Sequence, residues 1–162
     1  KFAPHFGTAE TIPGELIKKM ETVKHFGSGN FVTRQNELAY FDMHIHSSAI
    51  DNVEDLEQSQ IEIANSMSVI KRDSDYKMFA WFSHIFAGWY AAGYYSYMWA
   101  EIIEKDILSQ FKENGMFDSG TAQSFLDTIL SAGSYKSGKE MFHDFMQREV
   151  NVEAFLLENG IS

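Results

Sequence analysis

Apolar residues recur along this chain at the spacing of helices, and no stretch of several residues alternates as a strand would. Leu16, Ile17, Met20 and Val23 follow Pro13, which suits the first turn of a helix with Gly27 as its stop. Asn30 is placed to cap a second, longer helix carrying Phe31, Leu38, Phe41 and Ile45. Asp51 or Asn52 begins a third, with Glu54, Asp55 and Glu57 favourable to its dipole and Leu56, Ile63, Met67 and Ile70 as its expected buried positions. Residues 71–78 read as a polar connection. A later helix should run to Asn114 and stop at Gly115. Another opens at Ser119, carries Phe125, Leu126, Ile129 and Leu130, and ends at Gly133. Ser137 and Glu140 form a capping box ahead of Met141, Phe142, Phe145 and Met146, and Asn151 caps a short last helix ending at Gly160. The pattern predicts an all-α fold, one compact multi-helix unit over residues 1–162.

One segment stands apart from this amphipathic rhythm. From Phe82 to Glu101 the chain reads FSHIFAGWYAAGYYSYMWAE, with no charge between His84 and Glu101. It falls short of the roughly 20 apolar residues a membrane helix needs, and its tyrosines are wrong for a lipid-facing span. A helix starting after Gly88 would put Tyr90, Tyr94 and Tyr97 on one face, running on into Glu101 and Glu104. Tyr95, Trp99, Ile102, Ile103 and Phe111 would then form the buried side.

Composition narrows the class. A chain of 162 residues can bury roughly 70% of its unfolded surface, and fourteen Phe with three Trp supply a core. The net charge of −10 and the lack of a basic run disfavour nucleic acid and anionic membranes as partners. Cysteine is absent, which excludes disulfides, thiolate metal sites and a cysteine nucleophile and fits a reducing, cytoplasmic setting. The opening KFAPHFGTAE lacks the apolar core of a signal peptide, and the chain starts with Lys rather than Met. Targeting signals are therefore not legible, and the true N-terminus is expected to lie upstream.

The candidate chemistry is limited. No H-E-x-x-H occurs among the six histidines, and His44 and His46 would point to nearly opposite sides of a helix. His46 stands four residues after Asp42, the spacing of a hydrogen-bonded structural pair. No G-x-S-x-G elbow and no phosphate-binding glycine loop is present. The tyrosine segment with His84 remains. Read on residues alone it is either a packed aromatic core, which periodicity favours, or a set of hydrogen-bond donors. A phenol with pKa near 10 stays protonated at neutral pH and can donate to a developing oxyanion.

HIFAGWYAAGYYSYMWAE (84–101) resembles the segment that follows the metal site in the thimet oligopeptidase, oligopeptidase A and peptidyl-dipeptidase family, where a histidine and a glycine-rich loop precede YAAGYYSYLWA. IPGELIKKM, FDMHIH, QSFLDTIL, the Met141–Phe145 segment, Arg148–Glu149 and EAFLLENGI match in order and spacing over essentially the whole chain. The resemblance implies the C-terminal, channel-wall part of a zinc metallopeptidase hydrolysing short peptides. Its zinc ligands would lie in the upstream part of the same polypeptide, with none in this chain, and the chain alone would be inactive. Carried over by position, Tyr97, Tyr94 and His84 are the implied catalytic residues, and Tyr90 and Gly88 the substrate-binding ones. The chain departs from the family pattern at Trp89, Ala122, Gln147 and Val150, and at Gly133-Ser134-Tyr135. A stand-alone helical peptide-binding or interaction module is the alternative.

Overall fold

A computed structural model describes residues 4–48, 50 and 52–161. These form α1 (Gly14–Thr22), α2 (Ser28–Ser47), α3 (Val53–Met67), α4 (His84–Ala87), α5 (Ser96–Asn114), α6 (Ser119–Phe125), α7 (Gly138–Met146) and α8 (Glu153–Glu158). Among the described residues the only β element is an isolated bridge between Pro4 and Thr11, so the fold is all-α.

Local chemistry sets several boundaries. Asn52 Oδ1 accepts from the Asp55 N–H at 2.9 Å and opens α3. Asp51, the other candidate for that start, lies outside the described residues. Asp118 caps α6 by accepting from the Thr121 N–H, and the Ser137–Glu140 capping box is complete at α7. Asn151 Oδ1 accepts from the Glu153 N–H at 3.0 Å, so it caps α8 from one residue outside the Ncap position. The α2 start differs from expectation. The helix begins at Ser28 behind Gly27, whose φ of 77° only glycine adopts easily, and Asn30 lies inside it. Past α6 the Ser131 N–H bonds the Leu126 carbonyl at 2.8 Å, a π turn over Leu126–Leu130 that carries the helix towards Gly133.

Two apolar clusters hold the helices. Leu38 and Phe41 of α2 and Ile63 of α3 pack with Met78, Phe82 and Ile85, so the connection expected to be polar contributes a fully buried methionine. Phe142, Phe145 and Met146 of α7 pack against Ile103, Ile107 and Phe111 of α5 and Phe125 and Ile129. Phe111, Phe125 and Phe145 meet with ring centroids 5.6–6.1 Å apart. Buried Asp106 of α5 receives both Arg148 nitrogens, at 2.5 and 2.8 Å, and the Asn151 N–H at 3.0 Å. Burial pushes the Asp106 carboxyl up, but these donors outweigh it and hold it below its ordinary range.

Three burial expectations fail. Ile70 lies past the end of α3 and is exposed. Tyr95 and Trp99 are about half exposed instead of forming a buried side. For Tyr95 the reason is phase: α5 starts at Ser96, so a helical face projected from Gly88 does not reach it, whereas Trp99 lies within α5 beside Ile103 at the rim of an open cleft with Phe142 and Val150. Tyr95 instead joins Tyr40, Met43 and Met67 in an open groove of about 640 Å³ between α2 and α3. The apolar stripe of α1 is likewise exposed at Leu16, Ile17, Met20 and Val23.

Candidate functional site

The tyrosines do converge, though not along one helix. Residues 89–95 form turns rather than the predicted helix, with Trp89 at φ 72° and Ala92 at φ 54°. A left-handed conformation costs a non-glycine residue roughly 1–2 kcal/mol, so something outside the turn must hold it. The Gly93 N–H bonds the Tyr90 carbonyl at 2.8 Å and the Ser96 N–H bonds that of Gly93 at 3.0 Å. This winding brings Tyr90 and Tyr97 into a stack with ring centroids 4.8 Å apart, and Tyr94 to 5.2 Å from Tyr97.

His84 opens α4 and faces the same cluster. Its ring stacks on Phe82 at 5.5 Å and lies 6.0 Å from Tyr90 and 6.4 Å from Tyr94. Gly88 ends α4. A Cβ there would stand 3.0 Å from both Cα and the carbonyl oxygen of His84, so glycine lets the loop leave close against the histidine's backbone. A cleft of about 240 Å³ runs between these groups, lined by Phe31, Gln35, His84, Tyr94, Tyr97, Met98 and Glu101. All five residues assigned by resemblance thus belong to one locality, with His84, Tyr94 and Tyr97 on the cleft wall.

The three phenols differ in their surroundings. The Tyr94 hydroxyl donates to Gln35 Oε1 at 3.0 Å. Burial raises the Tyr94 pKa, opposed in part by the Arg34 charge. Tyr97 is more open. Its hydrogen bond with Tyr90 is the main cause of its raised pKa, followed by desolvation. Both shifts point the same way: these hydroxyls keep their protons at neutral pH and remain donors.

Gln35, Phe31, Met98 and Glu101 were not singled out as site residues from sequence. Gln35 precedes Asp42 by seven residues on α2, a spacing that shares a helical face and could have linked them. His46 and Asp42 do pair: Nδ1 lies 3.0 Å from Oδ1 and 2.8 Å from the Asp42 carbonyl oxygen. Both neighbours are acceptors, so the ring carries its hydrogen on Nδ1. The same carboxylate also accepts the N–H groups of Ala92 and Tyr94, both at 2.9 Å, from residues 50 and 52 positions away.

Metal chemistry does not fit these residues. Among the described residues no three His, Cys, Asp or Glu side chains gather where an ion could be held. Among them, too, no helix is long and apolar enough to cross a membrane.

Against protein families, residues 1–161 match Peptidase family M3. The chain belongs to that family. It is 39% identical to Oligopeptidase A of Escherichia coli (strain K12) over 158 residues, 97% of this chain and 23% of that protein. Organellar oligopeptidase A, chloroplastic/mitochondrial, of Arabidopsis thaliana is 36% identical over 167 residues, 98% of this chain and 21% of that protein. Saccharolysin of Saccharomyces cerevisiae is 29% identical over 164 residues, 97% of this chain and 22% of that protein. This M3 chain therefore spans less than a quarter of the length of these curated relatives, matching a C-terminal part of each.

Proposed function

We propose that this chain is the C-terminal, channel-wall part of a zinc-dependent oligopeptidase, presenting hydrogen-bond donors and aromatic contacts to a short peptide at the bond being cut. The observation that supports this best is the gathering of His84, Tyr90, Tyr94 and Tyr97 around one cleft. The described residues hold no metal cluster, so a zinc in the whole enzyme would be held by the upstream part of the same polypeptide. The chain's own contribution is donation and positioning.

Hydrolysis of an amide passes through a tetrahedral intermediate whose carbonyl oxygen has become an anion, and neutral phenols placed around that oxygen stabilise it. Tyr97 is the better placed donor. It lies on the cleft wall beside the Tyr90 phenol, whereas the hydroxyl of Tyr94 is engaged by Gln35. Tyr94 flanks the carbonyl and holds the wall. His84 offers a ring nitrogen to the substrate or intermediate, and Tyr90 and Gly88 contact the peptide where the loop passes it. Short peptides fit this role; nothing in the acidic chain recommends nucleic acid or a membrane surface. A cytoplasmic location suits the absence of cysteine.

Two measurements test the reading. The purified 162-residue chain is expected to leave a quenched short peptide intact. Robust cleavage by it, abolished by a chelator, refutes the division of labour. In the whole enzyme Tyr97→Phe should lower kcat on the order of a hundredfold with the fold retained, the effect of removing one oxyanion donor. An unchanged kcat would reassign Tyr97 to packing.

A further inference from the structure

Asp42 is wholly buried, and a buried carboxylate persists only where its oxygens are satisfied. Here two of its three partner residues belong to the turn that carries the tyrosines. Oδ1 accepts the Ala92 N–H and Oδ2 the Tyr94 N–H, each at 2.9 Å, while His46 Nδ1–H covers Oδ1 from the outer side at 3.0 Å. A pair of N–H groups two residues apart, one on each carboxylate oxygen, fixes the turn in both position and orientation.

The turn needs such a hold. Ala91 and Ala92 are exposed and bury no side chain that could anchor them. Ala92 sits at φ 54° without the freedom of a glycine, and Trp89 at φ 72° leaves its side chain entirely in solvent. The second hold on Tyr94 comes from the same helix. Gln35, about two turns before Asp42 on α2, takes the phenol hydroxyl at 3.0 Å. Helix α2 therefore grips Tyr94 at both ends, by its amide and by its hydroxyl. Tyr97 follows through the start of α5, where its N–H bonds the Tyr94 carbonyl at 3.2 Å.

We infer that Asp42 is a positioning residue: its carboxylate shapes the Ala92–Tyr94 turn and thereby sets where Tyr94 and Tyr97 present their hydroxyls to the peptide. This rests on the proposed donor role of those tyrosines. It goes beyond the Asp42–His46 pair, because the groups it organises are backbone amides of a distant loop.

The test compares two buried carboxylates in the whole enzyme, assayed on a quenched short peptide. Asp106 is buried to the same degree and pins the Arg148–Asn151 segment, away from the cleft. Asp42→Asn leaves one amide facing an NH2 group, so the turn should shift. A misplacement of about 1 Å can cost on the order of a hundredfold in rate. We expect Asp42→Asn to lower kcat at least tenfold with KM within about twofold. Asp106→Asn should lower the thermal midpoint comparably and leave kcat within about twofold. If both variants lose thermal stability alike and keep kcat while Tyr97→Phe loses it, Asp42 is structural and the inference fails alone. A loss confined to KM overturns it too. If Tyr97→Phe also keeps kcat, the donor reading itself fails. Should Asp42→Asn not fold, His46→Ala removes only the outer partner of the carboxylate; a fall in kcat of about threefold supports the inference, and an unchanged kcat overturns it.

Discussion

Tyr94 donates its hydroxyl to Gln35 Oε1 across 59 residues of sequence, at 3.0 Å, and this separates it from Tyr97, whose ring it nearly touches. The Tyr94 phenol is part of the fold, whereas that of Tyr97 is half exposed at the cleft. Tyr94→Phe leaves Gln35 Oε1 without its donor and should cost roughly 1 kcal/mol of stability. In a chain of this size that lowers the thermal midpoint by about 2–4 °C. Tyr97→Phe should leave the midpoint nearly unchanged. Scanning calorimetry of the two variants checks the order, and a larger loss for Tyr97→Phe would contradict it.

Glu158 of α8 ties two distant segments together. One oxygen receives Lys112 of α5 and the other receives Lys24 at 2.7 Å, and these bonds hold the carboxyl down to about 2 from its ordinary 4.5. A depressed folded pKa contributes stability that is present above the unfolded pKa and lost as pH falls through the folded one. Both lysines are about half exposed, so screening limits the effect to about 1 kcal/mol. Urea titrations of the chain and of Glu158→Gln should differ by that amount at pH 6 and converge between pH 4.5 and 2. A constant gap across that window would exclude the network as its source.

Gln147 ends α7 in the left-handed region, at φ 55° and ψ 26°, where glycine is the favoured residue. Its side chain returns one hydrogen bond to the Asp144 carbonyl at 2.7 Å. Gln147→Gly relieves the backbone and gives up that bond, a net gain of roughly 0.5 kcal/mol. The thermal midpoint should rise by about 1–2 °C, and a fall would show that the side-chain bond outweighs the backbone conformation.

The helices were legible because their signals are local. Asn52, Asp118 and the Ser137–Glu140 box act within four residues; the segment before Gly133 ends at Leu130, while Gly115 and Gly160 close α5 and α8 through their own backbone freedom. Their positive φ values follow from a residue type readable in the sequence. The all-α class was accessible in the same way, through spacing, and the five residues assigned by resemblance were gathered by the tyrosine motif.

What escaped that reading is long-range. Tyr90, Tyr94 and Tyr97 do not share one helical face; their rings meet through the turn before Ser96. Two left-handed residues, Trp89 and Ala92, break the helix before Ser96, and nothing in a tryptophan or an alanine announces such a conformation. The turn is held by the Asp42 carboxylate and the Gln35 amide, 50 to 59 residues earlier, and no local spacing contains those bonds. Tyr95 was assigned to burial from the same mistaken phase, and the fold left both it and Trp99 on the surface. The sequence alone therefore determined the all-α class, the caps of α3, α6 and α7 and which residues could donate a hydrogen bond. The tertiary structure decided how those donors face one another, because that depends on a buried carboxylate meeting amides that only folding brings within 2.9 Å.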